Sequence, residues 1–187
     1  MQDPHFFGYG SLVNAKTHTY GPLRPATLMG WRRTWRHTLG HPAPFLTAEP
    51  YEGVSIQGAI APVPNADWEA LDAREHGYDR VSIDHAISHE GPARDISVYW
   101  VPVDKHDAPD QKHPIWLSYL DAVVQGFHTV FGPDGVTSFF ETTAGWDCPI
   151  LDDRKASLYP RSVILTETET RMVDDALARL ATVVEKL

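Results

Sequence analysis

Apolar residues change their period partway along this chain. Up to Val103 they run in short alternating or continuous stretches bounded by glycine and proline, the pattern of strands; from Pro114 onward they recur every three or four residues, the pattern of helices. Residues 5–9, His-Phe-Phe-Gly-Tyr, read as a short buried strand that runs into a glycine turn. Residues 26–38 form a second strand, with Trp31, Arg33, Trp35 and His37 on one face and Arg32, Thr34 and Arg36 on the other. Residues 53–63 are apolar and β-branched, and Pro62 and Pro64 end them. Residues 78–87 and 96–103 alternate like paired strands. One helix interrupts the strands: Asn65 is its N-cap, Asp67 and Glu69 sit in its first turn, and Gly77 is its stop.

In the second half, Pro114 opens a helix at its first position, and Trp116, Leu120, Val124, Phe127 and Phe131 make its apolar stripe. Gly132-Pro133-Asp134-Gly135 ends it. A last helix starts with Thr166 and Glu169 at capping-box spacing and carries Met172, Val173, Ala176, Leu177, Leu180, Val183 and Leu187 on one side. Strands followed by helices, within 187 residues, imply an α+β fold: a small mixed β-barrel-like sheet flanked by helices. The expected organisation is one domain over residues 1–187, with a helical C-terminal extension from about residue 112.

A formal net charge of −9 has the wrong sign for a general nucleic-acid binder. No apolar run reaches the ~20 residues of a membrane helix, and Met1-Gln2-Asp3-Pro4-His5 lacks the cationic start of a secretion signal. A single cysteine, Cys148, allows no internal disulfide, so a cytoplasmic location is expected. Between Asp3 and Glu49 the chain has no acid, while Lys16, Arg24, Arg32, Arg33 and Arg36 all fall there. These cations either focus the field on a small anionic ligand or pair with acids elsewhere in the fold. The cluster of Arg32, Arg33 and Arg36 with Trp31 and Trp35 would suit stacking on single-stranded nucleic acid, but the net acidity favours an internal role.

Two local motifs carry chemistry. In Gly8-Tyr9-Gly10-Ser11-Leu12, glycines after a strand let backbone N–H groups turn inward as a nest for a carboxylate or oxyanion, or simply make a tight turn. Val13 stands where a dinucleotide fingerprint needs its third glycine, and a nucleophile elbow would need Gly-x-Ser-x-Gly. In the helix, Trp68, Leu71 and Glu75 share one apolar face near the C-terminal end. Desolvation and the negative helix end would both raise the Glu75 carboxyl toward the range useful for proton transfer. The alternative is a structural Glu75 paired with a neighbour such as Arg80. Ten histidines include the pairs His37/His41 and His85/His89, the second beside Glu90, but neither pair lies on a helix that would aim both rings at one ion. No metal or cofactor is expected.

Taken together, the Tyr9-Gly10-Ser11-Leu12 loop and the segment Leu71-Asp72-Ala73-Arg74-Glu75-His76-Gly77-Tyr78 resemble the gamma-glutamylcyclotransferase-like superfamily, including its ChaC and gamma-glutamylamine cyclotransferase branches. Gly30-Trp31-Arg32-Arg33-Thr34-Trp35 is similar to that family's arginine-rich second strand, Gly58-Ala59-Ile60 to the strand before its catalytic helix, and Tyr119-Leu120 with Gly126 to a ChaC-type helix. The resemblance implies a metal-independent cyclisation of a γ-glutamyl compound to 5-oxoproline, releasing an amine or amino acid, as in glutathione metabolism. It implies Glu75 as the single acid/base, Tyr9, Gly10, Ser11 and Leu12 as the loop that binds the γ-glutamyl group, and Tyr78 as a pocket tyrosine. Leu12 stands where some branches carry asparagine and Asn14 where ChaC-like loops carry an aromatic residue, which leaves the particular γ-glutamyl compound open. The expected partner is that small substrate, with no nucleic acid and no membrane; the oligomeric state is not legible. The rival is a non-catalytic ligand-binding or protein-interaction module of the same fold, with the aromatic helix at 115–131 and Phe139-Phe140 as its surface. Residues 149–160 match nothing in the family pattern.

Overall fold

The computed structural model describes residues 3–38, 40–106, 113–180 and 184–186. Its centre is a long antiparallel ribbon, β2 (Arg24–Arg36) against β3 (Phe45–Pro62), paired from Arg36↔Phe45 to Arg24↔Ile60. The register shifts between Met29 and Trp31, and there the ribbon bends. β1 (His5–Gly8) lies antiparallel to β3 and parallel to β6 (Ile96–Trp100); β4 (Asp79–Ser82) extends the sheet beyond β6, and β5 (Ile87–His89) closes the other side on β2. The result is a curled half-barrel of mixed strands with three helices among the described residues, the α+β architecture expected from the apolar periods.

β1 is buried on both faces, and this organises the molecule. Phe7 faces a core that Leu28, Leu46, Ile60 and Val98 share with Leu120, Val124 and Phe127 of α2 (Leu117–Glu141). Phe6, one residue away and so on the opposite face, meets Leu71 of α1 (Trp68–Arg74), Leu12 and Tyr99 in a smaller cluster. Each such side chain contributes roughly 1.5–3 kcal/mol by leaving water. The turn after β1 therefore lies where α1 and α2 converge.

The helices depart from the expected boundaries in instructive ways. α1 starts at Trp68, not after Asn65: Pro64–Ala66 form a single tight turn in which Asn65 takes φ 57 and donates its N–H to the Asp3 carboxylate, leaving Asp67 at the N-cap. Gly77 is not a left-handed stop either, since Glu75 is the C-cap residue. Gly77 is needed for space, because a Cβ there would lie 2.2 Å from the Phe45 ring. Pro114 does not open α2. Ile115–Trp116 form a short strand, β7, and the helix begins at Leu117, where the buried Asp153 carboxylate accepts the Ser118 N–H at 2.7 Å. A long-range carboxylate thus supplies the N-terminal acceptor that no local residue offers. Gly132 breaks α2 at φ 70, but Pro133 restarts it and the chain stays helical to Glu141.

After α2, β8 (Thr143–Ala144) pairs parallel with β2, and β9 (Ile150–Asp152) joins β7 and β10 (Val184–Lys186) in a small parallel sheet. The last helix, α3 (Glu167–Arg179), carries the full capping box of Thr166 and Glu169. It buries Val173, Ala176 and Leu177 in the core shared with α2. Residues 184–186 are strand rather than helix, and Val183 and Leu187 lie outside the described residues. Phe139 and Phe140 are buried, so they offer no surface to a partner.

Candidate active site

A cavity of about 180 Å³ lies between β3, the residues that follow α1 and the start of α2. It is lined by Ser11 and Leu46, by the carboxylate of Glu75, and by aromatic residues that include Trp35, Phe45, Tyr78 and Tyr119. A smaller space of about 30 Å³ adjoins it beneath the β1 turn, walled by Gly8 to Leu12, Tyr78, Tyr99 and Tyr119. The two share Ser11, Leu46, Glu75, Tyr78 and Tyr119. All six residues singled out in the sequence meet here: Tyr9, Gly10 and Leu12 at the smaller space only, and Ser11, Glu75 and Tyr78 at both.

The turn after β1 is one 3₁₀ turn, Ser11–Val13, with Val13 and Asn14 N–H groups bonded to Gly10 and Ser11 carbonyls. Gly10 lets Tyr119 approach closely: a Cβ there would come 2.8 Å from the Tyr119 hydroxyl and push it aside. Tyr9 is buried, and its hydroxyl donates to the Tyr99 carbonyl, which ties the turn to β6. Asn14 donates to the Ala122 carbonyl at 2.8 Å and so fixes the turn to α2.

Glu75 is the C-cap of α1; its own N–H still bonds Leu71. Burial pushes its carboxyl up, opposed by the adjacent Arg74 guanidinium and more weakly by Arg161 and His76. Desolvation is thus the raising influence anticipated from the apolar face. The partner is different, however. Arg80 pairs with Asp72 at 3.0 Å, whereas Glu75 accepts from Arg74 Nε at 2.8 Å. The same guanidinium donates to the Thr17 carbonyl at 2.8 Å and to Ser11 Oγ at 3.3 Å, so it fastens the acid to the turn. Tyr78 donates to the Leu46 carbonyl at 3.1 Å and stacks on Phe45, with centroids 5.0 Å apart. Burial raises the phenols of Tyr9, Tyr78 and Tyr119, so each remains a neutral hydroxyl donor.

Several cavity residues escaped sequence reading. Arg74 gave no signal beyond being next to Glu75. Tyr159 comes from residues 149–160, which resembled nothing, and Arg161 follows directly after them; Tyr159 meets Tyr119 edge-to-face at 5.0 Å, and Tyr119 meets Trp35 at 5.9 Å. Asp153 builds this wall. Its carboxylate accepts the Leu158 N–H at 2.7 Å as well as Ser118, whose hydroxyl in turn accepts the Tyr159 N–H.

Of the cations in the N-terminal stretch, Arg33 is buried, Arg24, Arg32 and Arg36 are half-buried, and Lys16 is exposed. Arg32 and Arg36 both pair with Glu49, at 2.6 and 3.0 Å. Arg33 is fully buried between the Phe127 and Phe139 rings and donates to the Gln57 carbonyl; burial lowers it to about 9. Trp35 is buried too, and the half-buried Trp31 meets Trp100 edge-to-face at 5.9 Å. His37 accepts the His113 N–H, and His41 Nδ1 bonds the Ala43 carbonyl. Among the described residues no three His, Cys, Asp or Glu side chains gather as metal ligands, and no helix is long and apolar enough to cross a membrane.

Comparison with known proteins gives this arrangement a lineage. No curated protein matches the chain in sequence. Among solved structures, a gamma-glutamyl cyclotransferase and the uncharacterized protein loc79017 from Homo sapiens each superpose with a TM-score of 0.60 at 13% identity, covering 93% of this chain and 99% of theirs. YkqA from Bacillus subtilis superposes with a TM-score of 0.57 at 18% identity over 73% of this chain, which spans about half (52%) of YkqA's length. At such identities the likeness is one of fold. The sequence profile of the family described as gamma-glutamyl cyclotransferase, AIG2-like, matches residues 6–118, from the strand before the turn to the start of α2. The chain belongs to the gamma-glutamyl cyclotransferase, AIG2-like family.

Proposed function

We propose that the protein is a γ-glutamylcyclotransferase that converts a γ-glutamyl compound into 5-oxoproline and a free amine or amino acid, with Glu75 as general acid/base. The observation that carries this reading is the position of Glu75: a desolvated carboxyl on the boundary between the two cavities, tied through Arg74 to the Ser11 turn. The smaller space takes the γ-glutamyl group against Tyr9, Gly10, Ser11 and Leu12, and the larger takes the leaving half. Glu75 accepts a proton from the substrate α-ammonium, and the freed amine attacks the γ-carbonyl carbon. The new C–N bond closes a five-membered ring; Glu75 returns its proton to the departing nitrogen as the old γ-C–N bond breaks and takes the second proton from the ring nitrogen, which leaves a neutral lactam, and that proton passes on to the released amine as its ammonium. Because the nucleophile belongs to the substrate, ring closure costs little entropy and needs no protein nucleophile. The Ser11 hydroxyl, which accepts from Arg74 and so keeps its own proton to give, and the neutral phenol of Tyr119 supply the polar surroundings in which oxyanion charge develops.

The test is product analysis by mass spectrometry with a panel of γ-glutamyl compounds, each also offered with its α-amine acetylated. The free-amine substrates should yield 5-oxoproline and the acetylated ones nothing. Release of N-acetylglutamate at a comparable rate would identify a hydrolase instead. Binding without any product would identify a ligand-binding module of the same fold.

A further inference from the structure

Two arginines line the larger cavity, and they differ in their commitments. Arg74 is spent on Glu75, Thr17 and Ser11. Arg161 makes no hydrogen bond or ion pair with any described residue, although its charge is near enough to act on Glu75. It lines the larger cavity and not the smaller one. The wall around it is short of acceptors: Glu75 is the cavity's only carboxylate among the described residues, and the Trp35 indole N–H is buried in the same wall without a partner. An uncommitted planar cation on the wall of this cavity suits a carboxylate, which a guanidinium can hold through two parallel bonds. Tyr159 and Pro160, held from below by Asp153 through Leu158 and Ser118, fix the chain that presents it.

We infer that Arg161 binds a carboxylate on the leaving half of the substrate, so that the protein prefers γ-glutamyl amino acids or peptides over γ-glutamyl amines. This rests on the cyclotransferase reading for which half of the substrate lies in the larger cavity. The α-carboxylate of the glutamyl half has the same chemistry, and a matched pair of substrates separates the two. γ-Glutamylalanine and γ-glutamylethylamine differ only in the leaving-group carboxylate. The wild type should favour the alanine compound by about 10-fold or more in kcat/KM, as expected for a charge-assisted contact. Arg161→Gln should remove most of that preference by lowering the alanine rate alone, and Arg161→Lys should restore it only in part. Equal losses on both substrates, or on neither, would overturn the inference. A readout that needs no turnover separates it from the reaction. In a Glu75→Gln background, calorimetry should show γ-glutamylalanine bound more tightly than γ-glutamylethylamine, with the difference abolished by Arg161→Gln. If no 5-oxoproline forms but that contrast in binding holds, the cyclotransferase reading falls and the Arg161 site stands; without the contrast, the Arg161 site falls.

Discussion

At the scale of single residues the strongest expectations attach to Glu75. Glu75→Gln keeps the side chain's size and can still accept from Arg74 Nε, but it cannot move a proton. The proposed role predicts a fall in kcat of at least ~10²-fold with the melting temperature retained; near-wild-type turnover by a folded variant would remove Glu75 from the chemistry. The direction of its pKa sets the pH profile. Burial raises the carboxyl, so the ionised base exists only above a pKa higher than the ~4.3 of a free glutamate. Activity should therefore drop as pH falls through that raised value, and any residual rate of the Gln variant should lack this acid limb. Glu75 and the residues of the turn were legible because local spacing places them, a helix face for one and glycines after a strand for the others, whereas Tyr78 was reached only through the family resemblance. Arg74, Tyr159 and Arg161 were not, because what they do depends on partners far away in the chain, such as Ser11 and Thr17 for Arg74. No periodicity encodes a contact of that separation.

Among the elements, α2 shows how a helix can be found by its stripe and misplaced by its ends. Pro114 gave a local start signal, yet β7 takes the next two residues because Ile115 and Trp116 pair with Ile150 and Leu151. The helix starts where Asp153 reaches it. α3 was legible to the residue at its N-terminus because its capping box is wholly local, Thr166 to Glu169. The long-range cap makes a prediction of its own. Asp153→Ala would strand the buried Ser118 N–H and free the part-buried Leu158 N–H, at about 2–4 kcal/mol in total. Urea unfolding should show a lower midpoint with an unchanged slope, and Asp153→Asn, which keeps one acceptor oxygen, should fall between. Arg33 teaches the same lesson inside the sheet. Its alternation with Trp31 and Trp35 put it on the right face, but nothing in the strand announced that Phe127 and Phe139 would enclose it.

For the molecule as a whole, the family profile stops at residue 118 while the core does not. Leu120, Phe127, Phe139, Val173 and Leu177 pack in one cluster with Phe7, Leu46 and Ile60. A chain ending at residue 118 would expose the whole apolar concavity of the half-barrel. It should show no cooperative thermal transition by circular dichroism, whereas the full chain should unfold in one step; a cooperative transition in the short chain would mark residues 5–118 as an autonomous unit. The wall after β9 has a different consequence, for how such a protein diversifies. Asp153 grips that loop through two backbone N–H groups, Leu158 directly and Tyr159 by way of Ser118, so the side chain at 161 carries none of the mechanical duty of holding it. Selection can then exchange that side chain at almost no cost in stability, within about 0.5 kcal/mol for an exposed position. New substrates become reachable by single steps at the rim, without disturbing the acid at the centre.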